Sequence, residues 1–593
     1  MAYRLVDCIK KHRIQDNIIV ESFNPIILSA IRLYSRDIML MYNFADNTTA
    51  FGEESQEQFN KIPWILKQHW VQKQVRRIVR PDILGARFNL RPKILKNLIS
   101  KGYPVISWTV DDLETAKLLY KSGVKGLQSN KPQLIEKIVQ KKYKKILDAG
   151  GSYEFVDTMI KVKDIEDIKN GIKQAKKEGK KISIGGRRHS MGGQTIYKDA
   201  IFIDMLNFNK VNYNPETQTV TAQSGATWKK IQEILANHGR SVKIMQSDNI
   251  FTVGGSIGVN VHGWQVNAAP ISSTILRMTV MTADRKVQTI SPSINPELFN
   301  AVTGGYGMFA IILDAELETV PNTIVKFNAE FKKTDNLEEF FERNINKNPK
   351  AELAYARFSM DKSNLLDEAG VFWYESQESK AQIGEINPEK LIAFKRSIFR
   401  ISEYSNLGKK IRWYLEKKYT EYLAKKENLL IRSDAMNTDI HILWPLYGNN
   451  KDILHEYFIP KGHLHSFIKK LKERVEAYNI NITNVTLRVV KKDTTSLLPY
   501  AKQDMYALVC FFSQNKTIEG ENKMKKFTQN VIEDSISFGG SFYLPYRLHY
   551  TGNQILSAYP EIKKWIILKK KYDPDFMLYS QFFDYIQHIL ENR

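Results

Sequence analysis

Apolar and polar positions follow three different rhythms along this chain. Over the first 145 residues, short β-like runs at 17–23, 38–42, 104–110 and 126–129 are separated by helical patterns beginning at Pro92 and Leu113. Strands alternating with helices predict a parallel sheet or part of a (β/α) barrel. Lys137 to Ile146 reads as a last helix running into a charged connector, and Gly150-Gly151 punctuates the boundary. From about 150 to 320, apolar strands lead into loops dense in glycine. From about 325 onward the pattern is α+β, with strand-like runs at 351–359, 441–444 and 505–512 and a helical stretch from Leu464. No apolar run approaches the roughly 18 residues that span a bilayer.

The glycine-rich loops carry the chemistry. The strand at Ile182 opens into Gly185-Gly-Arg-Arg-His-Ser-Met-Gly-Gly-Gln194. A second loop is Thr252-Val-Gly-Gly-Ser-Ile-Gly258, followed by His262-Gly263, and a third is Thr303-Gly-Gly-Tyr-Gly307. Glycine allows positive φ and lets backbone N–H groups approach an anion with no Cβ in the way. Two such loops, each after an apolar strand, suit a diphosphate held from two sides. Neither a Rossmann fingerprint nor a P-loop fits: the acidic residue of the one and the Gly-Lys-Ser/Thr of the other are missing.

Five segments, in order, carry a resemblance. The first loop, the strand Ile201-Phe-Ile-Asp204, the strand and turn Thr219-Val-Thr-Ala-Gln-Ser-Gly-Ala-Thr-Trp228, the second loop, and the run from Glu297 through Gly304-Gly-Tyr-Gly-Met-Phe309 resemble the FAD-binding domain of the vanillyl-alcohol oxidase / cresol methylhydroxylase family. The resemblance implies an α+β chain: a PCMH-type, two-subdomain FAD-binding domain over 146–325 and an α+β substrate (cap) domain over 326–593. It implies FAD contacts from Gly185, Gly186, Arg187 and Arg188, then from Ser190, Gly192, Gly193 and Gln194. Ser224, Gly225, Gly254, Gly255, Ser256 and Gly258 follow, with His262, Gly263, Gly305 and Gly307. In some members a histidine in the first loop is bonded covalently to the flavin. His189 is the candidate here, for that bond or for a hydrogen bond alone. Arg188 stands where such members have glycine; its cation either compensates the diphosphate or points to solvent. Ser190, Gly192 and Gly193 would offer a hydroxyl and N–H groups. His262 reads as a satisfied core histidine beside the flavin, and Ala310 replaces an expected glycine.

Within residues 1–145, Val20-Glu-Ser-Phe-Asn-Pro25, Ser107-Trp-Thr-Val-Asp-Asp112, Gly123-Val-Lys-Gly126 and Ser129-Asn-Lys-Pro132 resemble the C-terminal half of glycerophosphodiester phosphodiesterases. That implies a partial (β/α) barrel. Metal-assisted hydrolysis needs clustered carboxylates, and Asp111 and Asp112 alone do not supply them. The expectation is no bound metal and no hydrolysis.

At the other end, Gly539-Gly-Ser-Phe-Tyr-Leu-Pro-Tyr-Arg-Leu-His549, Tyr559-Pro560, Trp565 and Lys571-Tyr-Asp-Pro574 resemble the tail of the branch with sugar and aldonolactone oxidases and decaprenylphosphoryl-ribose oxidase. The last of these has a lysine soon after the Gly-Gly strand, where this chain has Pro545 or Tyr546, so the acid–base residue does not carry over. Tyr546, Arg547 and His549 are the catalytic candidates. Alternate residues of an extended segment face opposite sides, so Arg547 and His549 pair with each other better than with Tyr546. Tyr355 and Arg357 are candidates to line the same pocket.

Composition changes this picture little. Two cysteines, Cys8 and Cys510, exclude a disulfide framework and suit a cytoplasmic protein. The formal charge of +23 is mostly interspersed with acids, which disfavours nucleic acid. The stretch 391–419, where aromatics alternate with cations, suits either a basic cap helix or a helix lying on a membrane surface. The expected function is an FAD-dependent oxidoreductase moving a hydride from a CH–OH group of a sugar-, polyol- or lactone-like small molecule to flavin N5. The alternative is a glycerophosphodiester-related hydrolase or lipid-headgroup binder with the flavin domain as scaffold.

Overall fold

The computed structural model describes residues 2–12, 14–15, 18–45, 63–131, 133, 144–156, 158–378, 384–387, 392–403, 405–426, 428–437 and 450–591. The chain divides into two compact units, one over residues 1–142 and one over most of the rest. The expected strand at 441–444 and the helix expected over 137–143 lie outside the described residues.

The first unit is a five-stranded parallel sheet in chain order: β1 (Ile19–Ser22), β2 (Met39–Phe44), β3 (Ile83–Arg87), β4 (Val105–Trp108) and β5 (Gly126–Leu127). Helices connect the strands, and their starts are written locally. Asn24 caps Ile26 N at 2.9 Å ahead of Pro25, and Asp112 caps Thr115 N at 2.7 Å. β3 escaped the reading of apolar runs because its centre is Gly85-Ala86. A Cβ at Gly85 would collide with the Asn43 side chain on β2, so the small residue records a close approach rather than a turn.

The second unit opens with a hairpin, β6 (Lys144–Leu147) against β7 (Tyr153–Val156). Residues 144–146, expected in a helix-to-connector run, are therefore strand, and Gly151, at φ 76°, belongs to the turn of this hairpin. A three-stranded parallel sheet follows, with β10 (Ile201–Asp204) between β8 (Thr158–Lys161) and β9 (Ile182–Gly185). The helix Ile165–Glu178 begins in an Asp164/Asp167 capping box and ends at Gly179 in the left-handed conformation.

Beside it lies an antiparallel sheet in the order β11 (Val211–Asn214), β12 (Thr219–Gln223), β16 (Ile311–Pro321), β14 (Ile275–Met281), β15 (Val287–Ile290), with β13 (Arg240–Val242) also on β16. The C-terminal half is an eight-stranded antiparallel sheet. Its order is β20 (Leu429–Ile431), β17 (Ile324–Lys333), β19 (Glu368–Ser376), β18 (Ala351–Phe358), β22 (Ile482–Val490), β23 (Met505–Asn515), β21 (Asn450–Pro460), β24 (Ser541–Phe542).

The tail then returns to the strand that leads into the first glycine-rich loop. Ile182 N donates to Met577 O (2.7 Å) and Tyr579 N to Ile182 O (2.8 Å), so the tail extends the edge at β9. Buried Lys569 donates to Met308 O and Leu578 O, both at 2.7 Å, and pairs with buried Asp573. Burial pulls that ammonium down to about 8, so the fold holds it only through these partners.

Candidate active site

The three glycine loops converge on one open cleft, whose space together with the solvent at its mouth is about 710 Å³. Gly185, Gly186, Ser190, Gln194 and Thr195 line it from the first loop, Gly254, Gly255 and Gly258 from the second, and Tyr306 through Ile312 from the third. The third loop is zipped onto the second: Gly304 N donates to Ile257 O and Tyr306 N to Gly258 O.

The glycines serve two distinct purposes. A Cβ at Gly258 or Gly307 would meet nothing within 4 Å, so both face open cleft. At Gly225, Gly263 and Gly305 a Cβ would strike the carbonyl oxygens of Met205, Met245 and Ala301, so these three serve packing. Ala310, in place of an expected glycine, is buried and not in the left-handed region, so its methyl costs nothing there.

Several expected donors are used inside the protein. Gly192 N donates to Gln194 Oε1 (3.0 Å) and Gly193 N to Asp148 Oδ2 (3.2 Å), so the N–H groups expected to meet a diphosphate are already bonded. Gln194 Nε2 donates to Leu544 O and Met191 N to Pro545 O, which fastens this loop to the C-terminal segment. Asp148 is buried, and burial raises its carboxyl to about 6 despite the N–H bonds from Ser152 and Gly193. The Ser256 hydroxyl accepts from Trp228 Nε1 and donates to Gln246 Oε1, so it braces the helix rather than facing the cleft.

Arg187 is exposed. Arg188, at φ 57°, holds the left-handed conformation a glycine would take without strain. Its side chain is 22% exposed, and its buried Nη1 has no hydrogen-bond partner among the described residues. The guanidinium lies 3.9 Å from Asp204 Oδ2 and 5.7 Å over the Phe202 ring, both on β10. The His189 ring packs at 4.3 Å on Phe251.

The lining also carries two buried hydroxyls, Ser224 Oγ and Thr195 Oγ1, with no hydrogen-bond partner among the described residues. Leaving them so would cost about 1–3 kcal/mol each. Orphaned donors and a glycine-walled space fit a bound dinucleotide carrying a diphosphate.

A second constellation sits behind the second loop. His262 Nε2 lies 2.6 Å from Glu456 Oε1, and the Tyr546 hydroxyl donates to Glu456 Oε2 at 3.3 Å. His262 and Glu456 are both buried. Tyr543, next to this group, donates its hydroxyl to Val259 O, and Val259 lines the cleft. Burial, reinforced by the Glu456 carboxylate, pushes the Tyr546 phenol well above its ordinary value.

Arg547 and His549 share a different carboxylate, Glu521, at 2.7 and 3.0 Å. Arg547 also reaches Ser152 Oγ. The alternation along 546–549 thus places Tyr546 on one group and the other two on another. Tyr355 stacks on Trp264 at 4.7 Å, while Arg357 pairs with Glu416 on the helix Asn406–Lys425. Neither touches the Glu456 group. Glu456 itself was missed. Its one sequence signal is an acid set among Ile453, Leu454, Tyr457, Phe458 and Ile459, which demands a partner without saying which.

Among the described residues, no group of three or more His, Cys, Asp or Glu could hold a metal. In the first unit, Asp111 accepts from Ser129 Oγ, Asn130 N and Asn130 Nδ2, and Asp112 is a helix cap.

Comparison with known proteins agrees with the loops. Residues 156–291 match the family model of an FAD binding domain, and residues 1–134 that of the glycerophosphoryl diester phosphodiesterase family. The chain is 22% identical to the decaprenylphosphoryl-beta-D-ribose oxidase of Mycolicibacterium smegmatis, over 73% of this chain and 95% of that protein. It is 28% identical to the D-arabinono-1,4-lactone oxidase of Yarrowia lipolytica over 29% of this chain and 35% of that one. With the L-gulonolactone oxidase of Bos taurus it shares 25% identity over 26% of this chain and 36% of that one. The chain thus spans only about a third of the two lactone oxidases. These matches make FAD the cofactor, and the chain is an FAD-dependent oxidoreductase preceded by a segment that matches the glycerophosphoryl diester phosphodiesterase family.

Proposed function

We propose that this protein oxidises a CH–OH group of a sugar-, polyol- or lactone-like small molecule at the group formed by His262, Glu456 and Tyr546. The observation that carries the reading is Glu456, a buried carboxylate bonded on one oxygen by a histidine and on the other by a tyrosine. FAD, when bound, supplies the acceptor for the hydride that leaves the substrate carbon. Tyr546, held protonated, acts as a hydrogen-bond donor that orients rather than as a base. In this reading the His262–Glu456 pair takes the hydroxyl proton, the task a buried base performs when carbonyl formation needs that proton removed. The relatives named above act, by their names, on a ribose derivative and on sugar lactones, which supports the substrate class.

In the same reading, the three-stranded and antiparallel sheets are the two subdomains of a PCMH-type domain. The eight-stranded sheet is the cap, and the five parallel strands are part of a (β/α) barrel. His189 is the candidate for a covalent flavin bond: acid should precipitate flavin with the protein, and His189→Ala should leave the flavin in the supernatant. The exposed thiol of Cys8 and the buried one of Cys510 suit a reducing cytoplasm. The hydrolase alternative gains nothing from Asp111 and Asp112, whose oxygens serve local structure.

The test is anaerobic addition of polyols, aldoses, aldonolactones and their phosphorylated forms to the yellow protein. Bleaching of the flavin band by at least one of them is expected; an unchanged band across the whole panel would sink the proposal.

A further inference from the structure

The helix Asn406–Lys425 is built inside out. Four of its charged residues face the protein: Lys409 donates to Asn481 Oδ1 and Ile482 O, Arg412 to Thr483 O and Asn484 Oδ1, Glu416 pairs with Arg357, and Lys417 with Glu368. Its outward side carries Leu407, Ile411, Tyr414, Leu415, Tyr419 and Tyr422, spaced at i, i+4, i+7, i+8, i+12 and i+15. Each is between 43% and 67% exposed. At a rise of about 1.5 Å per residue the stripe runs roughly 22 Å along one helix side. A surface helix of a globular protein normally puts its apolar stripe inward, and a contiguous apolar strip left outward marks a surface that something else covers.

Charge says what covers it. Lys410, Lys418 and Lys425 share the outward side with a single acid, Glu421, which pairs with Lys418 at 3.2 Å. Lys426 extends its ammonium over the Tyr422 ring at 4.8 Å. A second copy of this face would set lysine against lysine. An anionic lipid surface accepts lysines among its headgroups, seats tyrosine rings at headgroup level and takes Leu and Ile just below. No helix among the described residues is long and apolar enough to cross a membrane, so the contact is one of lying on the surface.

We infer that the outward side of Asn406–Lys425 docks the protein, in plane, on an anionic bilayer. The inference is independent of the flavin chemistry. The aromatic and apolar side chains that enter the interface carry the contact, and the lysines make it selective for anionic lipid.

The experiment is co-sedimentation of the full FAD-loaded chain with vesicles of phosphatidylcholine alone and of equal parts phosphatidylcholine and phosphatidylglycerol. The wild type should sediment with the anionic vesicles and remain largely in solution with the neutral ones. Ile411→Ser/Leu415→Ser should cut the bound fraction about tenfold. These side chains are outward, so flavin content and melting temperature should match the wild type and report an intact fold. Lys410→Glu/Lys418→Glu should remove the preference for anionic lipid. Wild type staying in solution with both vesicles, or equal binding by wild type and the Ser variant, would overturn the inference. So would a dimer mass by light scattering that the Ser variant abolishes, with no vesicle binding by either, since the stripe would then be a contact between copies.

Discussion

Two His–Glu pairs lie on opposite faces of one strand, and they differ in what they open onto. On β21, Glu456 turns to His262 and Tyr546, while its neighbour His455 turns through Thr528 Oγ1 to His549, Glu521 and Arg547. The first pair is buried, with side chains 4% and 2% exposed, and its neighbour Tyr543 reaches Val259 on the glycine-loop cleft. In the second, Glu521 is 37% exposed and holds an arginine as well. Burial lowers His549, offset in part by Glu521, and lowers His455 further. Glu521 is held well below the usual carboxylate range: burial works against this, but the bonds from His549 and Arg547 outweigh it. A histidine beside a carboxylate is therefore not in itself a reacting group. The Glu521 pair is a fastening between the C-terminal segment, the helix Ile518–Ser537 and the hairpin at Ser152.

The comparison breaks most visibly at Glu456. Glu456→Gln should slow flavin reduction by substrate about 10²–10⁴-fold, the range for loss of a positioned acid–base group, with flavin content unchanged. Rapid-mixing absorbance checks it, and a rate within threefold of wild type would remove Glu456 from the chemistry. Tyr546→Phe deletes one 3.3 Å hydrogen bond and leaves the carboxylate bonded to His262, so a loss of about tenfold is expected. Glu521→Gln should leave flavin reduction within about threefold but destabilise the fold by about 1–3 kcal/mol, because Arg547 and His549 lose their shared acceptor. Chemical denaturation measures that, and a Glu521→Gln rate as low as that of Glu456→Gln would erase the distinction between the pairs.

The chain itself discloses the cleft better than the proton site. Glycines at 258 and 307, and the order of three loops, are local signals that survive into the folded cleft. The period-two alternation after Pro545 correctly separates Tyr546 from Arg547 and His549, yet no local rule says which side meets the flavin region. Glu456 lies 194 residues from His262, so nothing in either neighbourhood announces the pair. Gly192, Gly193 and Ser256 show the other side of the same limit. They have the residue types that bind phosphate, and the fold uses them to bond Gln194, Asp148, Trp228 and Gln246 instead.

The smallest predicted effect is a change in pH slope, and it sets the fastening around Glu521 against Asp148. His549 and Glu521 have folded values below their unfolded ones, so their contribution is present at neutral pH. It declines as pH falls below about 6.5 and then below about 4.5. Asp148 runs the other way. Its folded value of about 6 exceeds its unfolded 3.8, so the native state binds the proton more tightly. Its contribution is fully present below 3.8 and is lost as pH rises through 6. Asp148, which shares the neighbourhood of Arg547, therefore offsets part of the acid sensitivity that Glu521 and His549 create. In Asp148→Asn that compensation is gone, and the variant should lose stability more steeply than wild type between pH 6 and 4. The slope difference integrates to on the order of 2–3 kcal/mol at most. Denaturation midpoints at half-unit intervals of pH would show it. Parallel curves for the two proteins would mean that Asp148 is ionised in the fold and that its bonds to Ser152 N and Gly193 N outweigh its burial.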